Sequence, residues 1–409
     1  MVAFDADYVR NQFPAFRAPT LRDEVLVDNA GGSYPCRYTV WRLSRFYQER
    51  KVPPQASCRA AQLAREEMDE ARIRLAALLG IAGDELHFGP STGANVYVLA
   101  QAFREWLHPG SAIVVSEQDS TPNTGPLRLL ADAGIEIRVW RADPATGILD
   151  PAGLDRILDG RVRLVCFPHV STLLGHVNDA RTICALVRGA GALSCVDGDG
   201  FAPHGLPDLR TLGADIYLFS GEMAFGPHQG LMAMRRELAH RLPVQVRDRD
   251  AADPTTRFNP AGADPAQIAA CAGIADYFDA LYDHHFKAGR DARGRAAKVA
   301  ELIRAREHEL LAPLADYLVT RPELRVLGGV RSGAARMPIL SLVLEEPAIK
   351  AVRRLARHAV ITGGGDFSVP GLLRAMGVDP ARGVLRLSLL HYALPQEVDR
   401  LIAALDTEI

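Results

Sequence analysis

The chain has 409 residues, of which 48% are hydrophobic and 23% charged, with a formal net charge of −2. That length predicts two domains around a sizeable core, and the near-neutral charge, with no basic stripe interleaved with aromatics, gives no ground for a nucleic-acid or membrane partner. The opening MVAFDADYVRNQF has no apolar signal core, no apolar run nears the roughly 18 residues of a membrane span, and the six cysteines form no Cys-x-x-Cys pair. A cytoplasmic protein with reduced thiols and no bound metal is expected.

In chain order, Ala60–Leu79 reads as a long amphipathic helix. From about residue 80 to about residue 235, short apolar runs alternate with helical segments, the pattern of a parallel sheet covered by helices. Strands are predicted at Ala112–Ser116, Ile135–Trp140, Arg163–Phe167, Ala192–Val196 and Ile216–Phe219, with Gly230–Met234 returning after a turn. Their aliphatic and β-branched content suits strands buried on both faces. Helices are predicted over Asn95–Leu107, Pro126–Ala133, Pro151–Leu158 and Asp179–Ala190, the last with Asp179 as N-cap.

The Pro/Gly/Asp-rich passage Ala252–Pro265 marks a boundary. After it come predicted helices Pro265–Tyr282 and Asp291–Leu314, a strand Met337–Leu344, a helix Ile349–His358, a strand Val384–Leu389 and a last helix Pro395–Leu405. That order describes a smaller α+β unit.

Four segments carry chemistry. In FGPSTGAN (Phe88–Asn95), small residues let backbone N–H groups at a helix start approach an anion, and Ser91 and Thr92 add hydroxyls; the same residues also suit a plain helix cap. In CVDGDGFAPHG (Cys195–Gly205), Asp197 ends an apolar strand, where it either caps a turn or pairs with a cation such as a protonated pyridine nitrogen. Arg386, in the apolar strand of VLRLSLLHY, needs a carboxylate partner from a substrate or from the protein. The fourth segment, ADIYLFSGEMAFGPHQGLMAM (Ala214–Met234), sets an apolar strand and a serine before an aromatic-Gly-Pro turn.

Taken in this order with VDNAGGS (Val27–Ser33) and EVDRL, these segments resemble the cysteine-desulfurase-like branch of the class V aminotransferases, pyridoxal-phosphate (PLP) enzymes of fold type I. The resemblance spans nearly the whole chain. It implies an α/β fold with a large, mostly parallel-sheet, PLP-binding domain over residues 31–262 and a small C-terminal α+β domain over residues 263–409, which an N-terminal segment, residues 1–30, joins. A homodimer acting on a small amino-acid-like substrate is implied as well.

Carried over residue by residue, the resemblance gives Asp197 the pyridine nitrogen, Ser91, Thr92, Gly93 and Ser220 the phosphate cradle, and Arg386 the substrate α-carboxylate. His204 is a further cofactor-side candidate. Elsewhere this sequence departs from the pattern: Ser120 stands for the ring-stacking histidine, Thr172 for the asparagine at the ring hydroxyl, and Glu222 for the residue before the Schiff-base lysine. Met223 takes the place of that lysine, and a thioether can neither form the Schiff base nor carry protons. No cysteine lies between Leu324 and Arg336, where desulfurases carry their nucleophile, which argues against sulfur transfer.

Three readings of Met223 compete. One is a lysine exchanged by design to trap a complex. A second is a natural enzyme holding the cofactor noncovalently, or as its pyridoxamine or external aldimine form, with His204, His228, Glu222 or Lys51 moving protons. The third is a noncatalytic dimeric homologue, since a fold does not guarantee its usual chemistry. A Rossmann dehydrogenase is a weaker alternative, because no Gly-x-Gly-x-x-Gly turn is evident.

Overall fold

A computed structural model describes residues 2–246, 256–287, 289–330 and 336–409. The start of the 252–265 boundary passage and residues 331–335 lie outside the described residues. The larger sheet has seven strands in the spatial order Leu86–Gly89, Gly230–Met234, Ile216–Ser220, Leu193–Asp197, Val162–Pro168, Ala112–Ser116, Glu136–Trp140. Pairing is parallel except where Gly230–Met234 runs antiparallel between Ile216–Ser220 and Leu86–Gly89.

Alternation along these strands feeds two cores, because successive side chains leave opposite faces of a sheet. Val114, Val165, Phe167, Val196 and Phe219 join one core with Ala71 and Leu75 of helix Arg59–Leu79 and Tyr277 and Phe278 of helix Ala272–His285. Ile113, Val115, Leu164, Cys166 and Leu218 face the other way, toward Val96, Leu99 and Phe103 of helix Thr92–Trp106. Both faces are therefore dry, which is what the continuous apolar runs require.

The smaller sheet is antiparallel, in the order Gly363–Gly365, Val384–Ser388, Ile339–Val343, Arg325–Val326. Its core includes Val25 and Val27 from the N-terminal segment, and it begins along the long helix Ala292–Val319 at Leu310. Strand Val25–Leu26 pairs in parallel with Val360–Ile361, so the N-terminal segment is stitched to this unit by backbone hydrogen bonds.

Several predicted elements shift at their ends. The stretch predicted as Pro265–Tyr282 is two helices, Pro265–Ala270 and Ala272–His285, both packed on the N-terminal helices Arg37–Glu49 and Arg59–Leu79. The predicted Pro126–Ala133 helix is a helix Thr121–Arg128 followed by a tighter 3-10 turn, Leu129–Ala133. No described helix is long and apolar enough to cross a membrane.

Candidate functional site

In open α/β sheets, ligands bind in the crevice beyond the carboxyl ends of the strands, where the strand order reverses. Here the order reverses between Ala112–Ser116 and Val162–Pro168. A cavity of about 340 Å³ opens there, lined by Gln118 and Ser120 after the first strand, by Pro168 at the end of the second and by Val170 and Thr172 after it. Asp197, Asp199, Ser220, Glu222 and Met223 complete its floor. Arg386, Phe367 and Ser368 reach it from the smaller unit, and Ala30 and Gly31 from the N-terminal segment.

Asp197 is the last residue of its strand, and its carbonyl accepts from His169 N at 2.7 Å. Its carboxylate accepts from Asn123 Nδ2 at 2.7 Å and from the Asp199 backbone N–H at 2.9 Å. Burial nevertheless raises its pKa to about 6. The close approach of Gly198 to the next strand fixes the turn: a Cβ there would lie 2.2 Å from the Tyr217 ring. The Tyr217 hydroxyl is anchored in turn by His169 Nδ1 at 3.0 Å.

That turn delivers a second acid, half-buried like Asp197. Asp199 Oδ1 accepts the Ser220 backbone N–H at 2.6 Å. Burial first, and then the charge of Asp197, push the Asp199 pKa well above the ordinary carboxylate range, with Glu222 adding to the rise. A third acid, Asp119, hydrogen-bonded by Ser116 Oγ at 3.0 Å, is raised by burial and by Asp197 in the same way. Asp199 and Asp119 were not among the residues singled out from sequence. Asp199 lies in the turn that follows the strand Leu193–Asp197, and no local pattern marks it.

Arg386 is 4% exposed, and its Nε donates to Asp28 Oδ1 at 2.7 Å. Of the two partners left open by the sequence, the protein thus supplies one. Nη1 and Nη2 have no hydrogen-bond acceptor among the described residues and are left for a ligand. Gly363 sits opposite Arg386 in the sheet because a Cβ there would lie 2.2 Å from Asp28 Oδ2. The Phe367 ring covers the guanidinium at 3.7 Å, in a loop where Phe367 and Ser368 both take positive φ, a strained geometry often found at ligand sites.

Other expected residues are placed differently. Ser91 caps helix Thr92–Trp106 by accepting from Ala94 N, and Gly93 follows in the first turn. Neither lines the cavity. His204 is separated from it: its Nδ1 bonds the fully buried Glu307 at 2.8 Å, and it faces only a small closed void on the far side of Met223. His228 is exposed and bonds Glu222 at 2.7 Å. Lys51 lies over the Tyr47 ring, away from the cavity.

Met223 sits in the tight turn Gly221–Ala224, 6% exposed, between cavity and void. No lysine lines the cavity. The ring half of PLP fits these residues, since Asp197 is a half-buried acid in want of a cation. The phosphate half does not. Thr92 Oγ1 and Ser220 Oγ are buried without a partner, as a phosphate site would leave them, but the Ser220 N–H is already given to Asp199, and Glu222 stands beside it. A dianion there would meet two carboxyl groups, and the one guanidinium lining the cavity belongs to the smaller sheet.

Comparison with known proteins is consistent over the whole length. The sequence model of the family described as "Aminotransferase class-V" matches residues 25–401. The aminotransferase-like protein FGM3 of Gibberella zeae is 29% identical over 416 residues, covering 99% of this chain and 98% of that protein. A cysteine desulfurase of Serratia proteamaculans is 26% identical over 423 residues, with the same coverage of 99% and 98%. Among solved structures, the cysteine desulfurase CsdA from Escherichia coli superposes with a TM-score of 0.82 at 22% identity, over 99% of this chain and 98% of that one. A cysteine desulfurase from Thermococcus onnurineus gives 0.85 at 19% identity, over 100% and 99%.

Proposed function

Because this chain belongs to the aminotransferase class-V family and has PLP fold type I, we propose that it is a noncatalytic homologue that binds an amino acid, or the amino-acid end of a larger metabolite, in the cavity between Asp197 and Arg386. The observation that carries this is Met223. It stands where the family's lysine is expected, and the apolar, buried thioether leaves no amine to hold an aldehyde or to move a proton at that point.

The rest of the cavity supports binding without that chemistry. Arg386 keeps two guanidinium nitrogens for a carboxylate, in the planar geometry that suits a bidentate grip. The acids of the larger sheet suit an ammonium group. Sulfur transfer is not part of this reading: five of the six cysteines are buried, Cys58 is exposed, and none lines the cavity. A homodimer is part of it, because Trp41, Ile73 and Tyr97 expose 54%, 62% and 54% of their surfaces, apolar area that a second copy would cover.

Gel filtration after incubation with PLP, followed by an absorbance scan, tests the loss of cofactor chemistry. A featureless spectrum is expected, and one retained equivalent per chain would defeat the reading. Calorimetric titration with amino acids tests the retained site. Arg386→Ala should abolish the heat, and unchanged affinity in that variant would remove Arg386 from the site.

A further inference from the structure

We propose that Asp199 and Glu222 form a cation subsite in place of the family's phosphate cradle, so that the ligand is a basic amino acid with its carboxylate on Arg386 and its charged side chain on these two acids. The proposal rests on the amino-acid reading above and narrows it to one chemical class.

The first observation is where Asp199 sits. Its carboxylate takes the Ser220 N–H at 2.6 Å, a donor at the carboxyl end of the sheet that a bound anion would otherwise use. An acid fixed on that donor turns an anion site into its opposite. Glu222 adds a second carboxylate on the same lining, and one of its oxygens is held by His228 at 2.7 Å.

The second observation is independent of the acids. Ser220 lines the cavity and is only 6% exposed, and its Oγ is buried with no hydrogen-bond partner. A buried hydroxyl left unpaired is destabilising, and a ligand N–H beside Asp199 would satisfy it.

Charge balance selects the class. The lining carries Asp197, Asp199 and Glu222 against Arg386, whose charge is already met by Asp28. A neutral amino acid, being a zwitterion, leaves the excess acid uncompensated. A ligand with one carboxylate and two cationic groups reduces it by one charge. Burial disfavours the charged forms of Asp197 and Asp199 in the empty cavity, so a cation placed between them would restore what desolvation removes.

The test is calorimetric titration of the full chain with L-lysine, L-ornithine, L-norleucine, putrescine and inorganic phosphate. Lysine or ornithine should bind about tenfold or more tightly than norleucine, the gain expected of a charged hydrogen bond. Asp199→Asn and Glu222→Gln, checked for native melting, should bring the lysine-to-norleucine ratio toward one. Norleucine binding as well as lysine would overturn the subsite and leave the amino-acid reading intact. Putrescine binding as well as lysine would keep the subsite and overturn the carboxylate role of Arg386. Phosphate binding more tightly than any amine would overturn both.

Discussion

Replacing Asp197 with asparagine should stabilise the empty protein at neutral and alkaline pH. The carboxyl has a pKa of about 6 in the fold against an ordinary 3.8, chiefly because it is buried. An acid whose folded pKa is raised binds its proton more tightly when folded, so stability falls as pH rises from about 4 through 6, and the loss is complete above about 7. That difference is on the order of 3 kcal/mol. Asparagine carries no such penalty. It does turn one acceptor into a donor, facing either the Asp199 N–H or the Asn123 amide, and Asn123 can meet it by reversing its own amide. The net gain should be about 1–3 kcal/mol at pH 8 and near zero at pH 4.5. Urea denaturation of both proteins at pH 4.5, 6 and 8 measures it. A variant destabilised equally at all three would show that Asp197 is fully compensated within the protein, and the argument for an unmet acid in the cavity would fail.

Met223→Lys alone should not yield a cofactor absorbance band with PLP, because Asp199 and Glu222 still oppose the phosphate; Met223→Lys with Asp199→Ala and Glu222→His should, and a band in the single variant would show that the acids are no obstacle. Affinity for lysine should rise between pH 5 and 7 as Asp197 loses its proton through about 6, with protons released on binding; calorimetry in buffers of different ionisation enthalpy would expose a flat profile. Glu307→Ala should cost about 1–3 kcal/mol by chemical denaturation, since Glu307 is fully buried and its oxygen is bonded by His204 at 2.8 Å; no measurable loss would mean that the buried His204 ring is satisfied without it. Arg386→Ala should lower stability by about 2 kcal/mol as Asp28 loses its donor, a change visible in the same urea series.

Much of the fold was legible because period and burial agree locally. Strands Ala112–Ser116 and Gly230–Met234 have the limits that their apolar runs mark. Helix Thr92–Trp106 begins earlier than the apolar pattern because Ser91 caps it. The tertiary partners were hidden. Asp28 meets Arg386 across 358 residues, and strand Val25–Leu26 docks on Val360–Ile361; no local pattern encodes either pairing. In the site, Asp197, Ser120, Thr172, Ser220 and Arg386 converge on one cavity, whereas His204 belongs to a buried pair with Glu307. The weight of Asp199 appears only once the neighbouring strand brings the Ser220 N–H to it.

With Asp199 and Glu222 beside Ser220, the cavity of this class V fold is expected to refuse the family's phosphate-bearing cofactor. Equilibrium dialysis of the purified chain against PLP, with bound cofactor quantified after alkaline release, tests it most directly. The account predicts no saturable uptake. One equivalent of PLP bound per chain at micromolar concentration would contradict it.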